Sequence, residues 1–226
     1  MTELLVRDLG RLDYRAAWDV QLATHAAVAE GRLAPTLLLV EHPPVITFGK
    51  KGGREHLLAD PAALAAQGFS LYDIERGGDV TYHGPGQLVG YPILPVGRAV
   101  RSYLRNLEAV MVAVLAEYGI PSVGSPGYAG VWVGDEKVVA IGVAIKRNVS
   151  FHGFAMNVAT DLSHFSYIVP CGIRDKGVTS LSALLGRPVT LEEVKPRLVR
   201  AFCETFGYTP VPFVPSDPTP ETEASL

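Results

Sequence analysis

The stretch KVVAIGVAIKRNVSFHGFAMNV, Lys137 to Val158, decides the fold. Its two halves, KVVAIGVAI and SFHGFAMNV, are rich in apolar and β-branched residues and stand either side of Lys146-Arg147-Asn148. That is the pattern of two strands folded back on each other through a short turn. Just upstream, YAGVWVG (Tyr128 to Gly134) is a further strand, joined to the first through the hairpin turn Gly134-Asp135-Glu136. Three successive strands joined by tight turns call for antiparallel pairing.

Working outward, TLLLVEH reads as a buried strand, and Pro43-Pro44 breaks the chain before a second one, VITFG. Tyr14, Ala17, Trp18 and Leu22 fall at helical spacing, so about Asp13 to Glu30 is expected to be an amphipathic helix. In DPAALAAQG, Asp60 is the N-cap, Pro61 the first helical residue and Gly68 the stop. Tyr103, Leu107, Val110, Met111, Val114, Leu115 and Tyr118 mark the longest amphipathic helix, which ends at Gly119 and Pro121. Thr190-Leu191-Glu192-Glu193 is a capping box opening a last helix to about Phe206. Helices and hairpin strands do not alternate steadily, so the expected class is α+β around a mixed, mostly antiparallel sheet, not a doubly wound fold. One domain over residues 1–208 is expected. The remainder, 209–226, holds five of the seventeen prolines and reads as a disordered tail.

Composition narrows the function classes. Of 226 residues 48% are apolar, enough for a substantial core, and a net charge of -3 makes no electrostatic case for nucleic acid. No apolar run approaches the roughly 18 residues needed to span a bilayer. The charged N-terminus does not resemble a signal peptide, and two cysteines make no disulfide scaffold. A cytoplasmic protein without a membrane partner is expected. Nucleotide and metal signatures are missing: Gly49-Lys50 is followed by Lys51, Gly84-Pro85-Gly86 does not continue into GxGxxG, and neither HExxH nor GxSxG occurs.

Three features carry possible chemistry. In RGGDVTYHGPGQLVGYPI (Arg76 to Ile93), Gly77-Gly78 and Gly84-x-Gly86 would let backbone approach a ligand, beside Arg76, Thr81, Tyr82 and His83. The same composition also suits a surface turn. Cys171, between Pro170 and Gly172 with Arg174 and Lys176 nearby, meets the conditions that favour a thiolate, although chance placement explains it as well. Cys203, in the apolar VRAFCETF, reads as core. Lys137 opens its strand after two acids, and nothing in the residues alone separates it from Lys146 or Lys176.

Taken together these segments resemble the lipoyl(octanoyl) transferase family. RGGDVTYHGPGQLVGYPI is similar to the family signature, EKVVAIGVAIKRNVSFHGFAMNV to its lysine-strand region, and PCGI followed by GVTSL to its nucleophile loop. The likeness spans roughly Thr36 to Leu185. It implies the biotin/lipoate protein ligase-like fold, with helices flanking a central mixed sheet. It implies Cys171 as the acyl-accepting nucleophile and Lys137 as the residue that lowers its pKa. It assigns the substrate loop to Arg76, Gly77, Gly78, Asp79, Val80, Thr81, Tyr82 and His83. Two further substrate-contacting segments are Ala140-Ile141-Gly142 and Gly153-Phe154-Ala155. The implied reaction moves an octanoyl group from octanoyl-acyl carrier protein to a lysine of a lipoyl domain. The implied acceptors are the lipoyl domains of 2-oxoacid dehydrogenase complexes and the glycine cleavage H protein, and no cofactor or metal is implied. The alternatives on this reading are an ATP-dependent lipoate or biotin ligase, a cysteine thioester hydrolase and a non-catalytic acyl-binding module.

Overall fold

The computed structural model describes residues 2–124, 129–169 and 176–212. The chain opens with a strand, β1 (Thr2–Arg11), then α1 (Tyr14–Ala29), β2 (Thr36–Glu41) and β3 (Val45–Phe48). A helix, α2 (Pro61–Ala66), leads to β4 (Ser70–Asp73), β5 (Val80–His83) and β6 (Gln87–Ile93). The long helix α3 (Val100–Glu117) precedes β7 (Val123–Gly124), β8 (Gly130–Val133), β9 (Glu136–Lys146) and β10 (Val149–Asn157). The chain continues through β11 (Gly177–Val178), α4 (Leu181–Leu185), α5 (Leu191–Phe206) and β12 (Tyr208–Pro212).

The large sheet runs β12-β1-β2-β6-β10-β9-β8-β7, with β11 also paired to β9. β1 is parallel to both β2 and β12, and β11 is parallel to β9, while the pairs from β2 to β7 are antiparallel. The sheet is therefore mixed and mostly antiparallel, as expected. The β9–β10 hairpin closes through Arg147 and Asn148, whose φ of 51 and 63 are those of a two-residue type I′ turn. β3, β4 and β5 form a separate three-stranded sheet.

Helix starts follow their caps. Asp13 accepts from the Arg15 and Ala16 amides, Asp60 from Ala62 and Ala63, and Thr190 from Glu193. The capping box at Thr190 is half formed, because the Glu193 carboxylate turns to Arg187 at 2.9 Å.

Helices cover both faces of the sheet. On one face α3 and α5 bury Leu107, Met111, Leu198 and Phe202 against Val139, Ile141, Phe154 and Met156. On the other, α1 packs Ala17 and Val28 over Leu38, Val89, Tyr91 and Ala155. The small sheet has its own core, with Ile46, Phe48 and Tyr82 against Phe165 and Ile168.

The proline-rich stretch from 209 onward differs from its expectation at its start. Its residues 209–212 belong to β12, pairing with β1 through Leu4↔Pro210 and Val6↔Pro212. As the outermost strand in its sheet, β12 tolerates residues that cannot donate. Residues 213–226 lie outside the described residues.

Candidate active site

The three-residue segments 140–142 and 153–155 are one structure. In the β9–β10 register Ala140 faces Ala155, Ile141 faces Phe154, and Gly142 faces Gly153. Period-two alternation sends Ile141 and Phe154 into the α3–α5 core. Ala140, Gly142, Gly153 and Ala155 then form a floor of minimal side chains, extended by Val89 and Tyr91 of β6. The result is a trough in the sheet surface.

The loop between β4 and β5 roofs one end of it. Gly77 N donates to Val143 O at 2.8 Å, tying the loop to β9. Arg76 donates through Nη2 to Thr47 O at 2.8 Å and Thr47 Oγ1 at 3.0 Å, and through Nη1 to Gly77 O at 3.1 Å. Its guanidinium thus fastens the loop to β3. Gly142 permits this: a Cβ there would stand 3.0 Å from Gly77 O and 3.1 Å from Arg76 Cδ.

Lys137 closes the other end. It is buried, with Nζ 4.8 Å from the centre of the Trp132 ring. Its stem passes Gly130, where a Cβ would lie 3.5 Å from Lys137 Cε, and Gly130 is the cross-strand partner of Ala140. The amine end is therefore carried along the strand toward Ala140.

Cys171 lies outside the described residues, but the chain on both sides of 170–175 is pinned. On one side Val169 N donates to His56 O at 2.8 Å. On the other, Gly177 N donates to Asp135 O at 3.1 Å and Thr179 N to Lys137 O at 3.0 Å, while Val178 pairs with Lys137. β11 thus takes the edge of β9 that β10 leaves after Met156↔Val139.

Of the remaining loop residues, Gly78, Asp79, Val80, Thr81 and His83 line the cleft, as does Arg76. Gly77 and Tyr82 do not. Tyr82 is fully buried in the small sheet's core, with its hydroxyl 2.8 Å from His164 Nδ1. Gly84-Pro85-Gly86 is a structural turn, its Gly86 amide donating to Glu41 Oε1 at 2.7 Å.

The hydrogen bonds assign the imidazole tautomers. His42 Nδ1 lies 2.8 Å from Leu12 O, an acceptor only, so it carries the proton, and Nε2 accepts from the Tyr91 hydroxyl at 2.7 Å. Gln87 donates through Nε2 to Tyr82 O and Asn157 Oδ1, so its Oε1 accepts from His83 Nδ1 at 2.8 Å. Burial lowers His42 to about 4 and His83 to about 3, the latter helped by His42. Both rings are neutral near pH 7. Burial likewise pushes the Tyr14 and Tyr91 phenols up.

Sequence reasoning missed Tyr14, Val89, Tyr91, Ala129 and His152, which also line the cleft. His152 carried a signal, a polar residue inside an apolar strand beside a glycine. It sits opposite a defect. Pro92, in the interior of the sheet, has no N–H to offer β10, and the β6–β10 ladder is registered only from Phe154↔Gly90 onward. His152 adopts φ 55, and its amide donates to Gln21 Oε1 of α1 instead of to a strand.

Comparison with known proteins bears on this geometry. Residues 13–203 match the family described as lipoyl protein ligase A/B catalytic domain. An octanoyltransferase of Alkaliphilus metalliredigens is 46% identical over 91% of this chain and 96% of its own. One from Solibacter usitatus is 48% identical over 94% and 97%. Among solved structures, a bipartite lipoate protein ligase from Thermoplasma acidophilum superposes with TM-score 0.74 at 20% identity, covering 95% of this chain and 89% of the other. Biotin protein ligase from Aquifex aeolicus gives 0.51 at 14%, over 92% and 70%. These two likenesses establish the fold.

Proposed function

The chain belongs to the lipoyl protein ligase A/B catalytic-domain family as an acyltransferase serving protein lipoylation by octanoyl transfer, and we propose that it works through a thioester on Cys171. The donor is octanoyl-acyl carrier protein. The acceptors are lysines of lipoyl domains, including those of 2-oxoacid dehydrogenase complexes and the glycine cleavage H protein, and the reaction runs in the cytoplasm. One observation carries this reading: the buried Lys137 lines the same cleft as the trough, and the chain that emerges from 170–175 pairs directly with it.

The Lys137 ammonium favours the Cys171 thiolate electrostatically. The thiolate attacks the donor's thioester carbonyl; a new C–S bond forms, the C–S bond to the carrier breaks, and the carrier's thiolate leaves, taking the proton of the Lys137 ammonium. One thioester replaces another, so no external energy is needed. The acyl chain lies along Ala140, Ala155 and Gly153, beside the roof that Arg76 and Gly77 set on Gly142. An acceptor lysine, entering as an ammonium, gives a proton to a neutral Lys137 and attacks the acyl carbonyl. The amide forms as its nitrogen gives up a second proton to solvent, and the Cys171 thiolate departs beside the Lys137 ammonium, so a difficult transfer is divided into two steps. In the loop Arg76 to His83, Arg76 acts by fixing the roof over this trough, not as a free cation for substrate.

Mass spectrometry after mixing with octanoyl-acyl carrier protein alone tests the reading. One octanoyl adduct is expected, lost in Cys171→Ser and kept in Cys203→Ser. Cys203 is a poor competitor, being packed in the α5 core, where burial pushes its thiol up. An adduct on Cys203 would overturn the mechanism. Transfer from free octanoate with ATP would favour a ligase, and free octanoate as the main product would favour a hydrolase.

A further inference from the structure

Building on the acyl-transfer reading, we propose that His152 and Tyr14 form the end stop of the acyl trough and set the length of chain the enzyme accepts. The strand register supplies the ruler. The reactive end lies at Ala140, where the Lys137 stem arrives beside Gly130. The cleft is lined along β10 as far as His152, the partner of Val143, and Phe151 beyond it is not part of the lining. Along β10, from Ala155, the partner of Ala140, to His152 is three strand steps, about 10 Å. A straight octanoyl chain has seven carbon–carbon bonds of about 1.5 Å in zigzag, spanning about 9 Å. Its methyl end would arrive at His152, in the cleft that Tyr14 also lines.

Neither ring can yield easily. His152 is 2% exposed, and its ring centre lies 4.8 Å from Phe151 and 6.4 Å from Trp18. Its backbone is fixed by the ladder defect opposite Pro92 and by Gln21 Oε1. Behind it Glu75 Oε2 is 3.6 Å from Nε2. Tyr14, also 2% exposed, is stacked on Tyr72 at 5.3 Å and lies 6.1 Å from His83. Burial keeps His152 below its ordinary pKa, while Glu75 opposes the shift. The wall is thus an uncharged ring that a methyl group can touch, not a hydrated charge.

Burial of methylenes alone would reward each two-carbon extension by roughly fifteen-fold, so selection against longer chains requires such a wall. His152→Gly removes the ring at a position whose φ of 55 suits glycine, which offsets part of the cost of the emptied site, so a folded protein with a moderately lowered melting temperature is expected. Acylation rates with octanoyl- and decanoyl-acyl carrier protein should show wild type favouring octanoyl. In His152→Gly the decanoyl-to-octanoyl ratio should rise about tenfold or more. Tyr14→Phe, which keeps its ring, should hold the wild-type ratio. A folded His152→Gly with an unchanged ratio, beside a normally acylated wild type, would overturn the end stop alone. A wild type acylated by neither donor would remove the acyl-transfer reading and the end stop with it.

Discussion

Ala155 and Met156 are neighbours in β10 that face opposite ways. Met156, fully buried, is locked among the aliphatic side chains under α3 and α5. Ala155 belongs to the other face, where it shares the trough floor with Ala140, Gly142 and Gly153. The same inversion holds on β9, with Val139 turned to the core and Ala140 to the trough. One hairpin therefore supplies stability from bulky residues on one face and binding space from small ones on the other. A strand can do both because its side chains alternate with period two, and a one-residue slip would exchange the two sets.

The largest expected effect separates the faces. Met156→Ala should lower stability by about 2–5 kcal/mol, as emptying a packed site does, and the folded fraction should still acylate. Ala140→Leu should do the reverse, filling the trough and cutting acylation at least about a hundred-fold with little change in melting temperature. Urea unfolding and single-turnover acylation of both variants make the check. If Met156→Ala and Ala140→Leu shift the same observable, the two faces are not separable and the trough is misassigned.

Acid should act on the trough side and spare the other. His42 and His83 are held neutral by burial, with folded pKa values of about 4 and 3 against an unfolded value near 6.5. A depressed folded pKa means the unfolded chain binds the proton first. The associated stability is whole above about pH 6.5 and is lost as pH falls toward 4. The loss should be on the order of a few kcal/mol between pH 7 and 4.5. Met156→Ala should start lower and follow a parallel slope, because the titratable groups described in that core, Tyr103 and Cys203, are pushed up by burial and stay protonated across this range. Urea midpoints across this range test the claim, and a flat wild-type profile would show that these imidazoles charge without penalty.

Much of this hairpin was legible before the structure, and the reasons are local. The short turn at Lys146-Arg147-Asn148, the Asp60 and Thr190 caps and the long α3 stripe all depend on neighbours in sequence. β1 was not legible, since Glu3, Arg7 and Asp8 interrupt its apolar pattern on a strand that is only partly covered. β12 was hidden because its prolines read as a tail until β1 is known to lie beside it. At the site, family likeness supplied Lys137, the loop and the two small-residue segments. That the segments face each other needed the register. Tyr14 and His152 needed more, because one comes from a helix start and the other from a defect created by Pro92, sixty residues away in sequence.

The smallest expected effect concerns docking of the proposed donor, an acidic acyl carrier protein, and the two faces decide between two basic clusters. Arg98, Arg101 and Arg105 lie before and within α3, which packs on the core face, opposite the trough. Lys50 and Lys51 stand on the trough side. Lys50 N donates to Arg76 O and Lys51 N to Gly78 O, each at 3.0 Å, so their loop is fastened to the roof of the site. Both side chains are exposed, whereas Arg54 is engaged with Asp73 at 2.8 Å and lies over the Phe48 ring. Reversing Lys50 and Lys51 to Glu should slow acylation by octanoyl-acyl carrier protein about tenfold at low salt, mainly through association, and added salt should narrow the gap. The same reversal at Arg101 and Arg105 should change little. A small octanoyl thioester without the carrier protein should react at near wild-type rates with the lysine variant, because no protein surface has to be steered. If that small donor is slowed as much as the carrier protein, the lysines serve the loop they are tied to and docking lies elsewhere. If the α3 reversal is the one that slows the carrier, the donor approaches from the core face and the comparison of faces fails for this step.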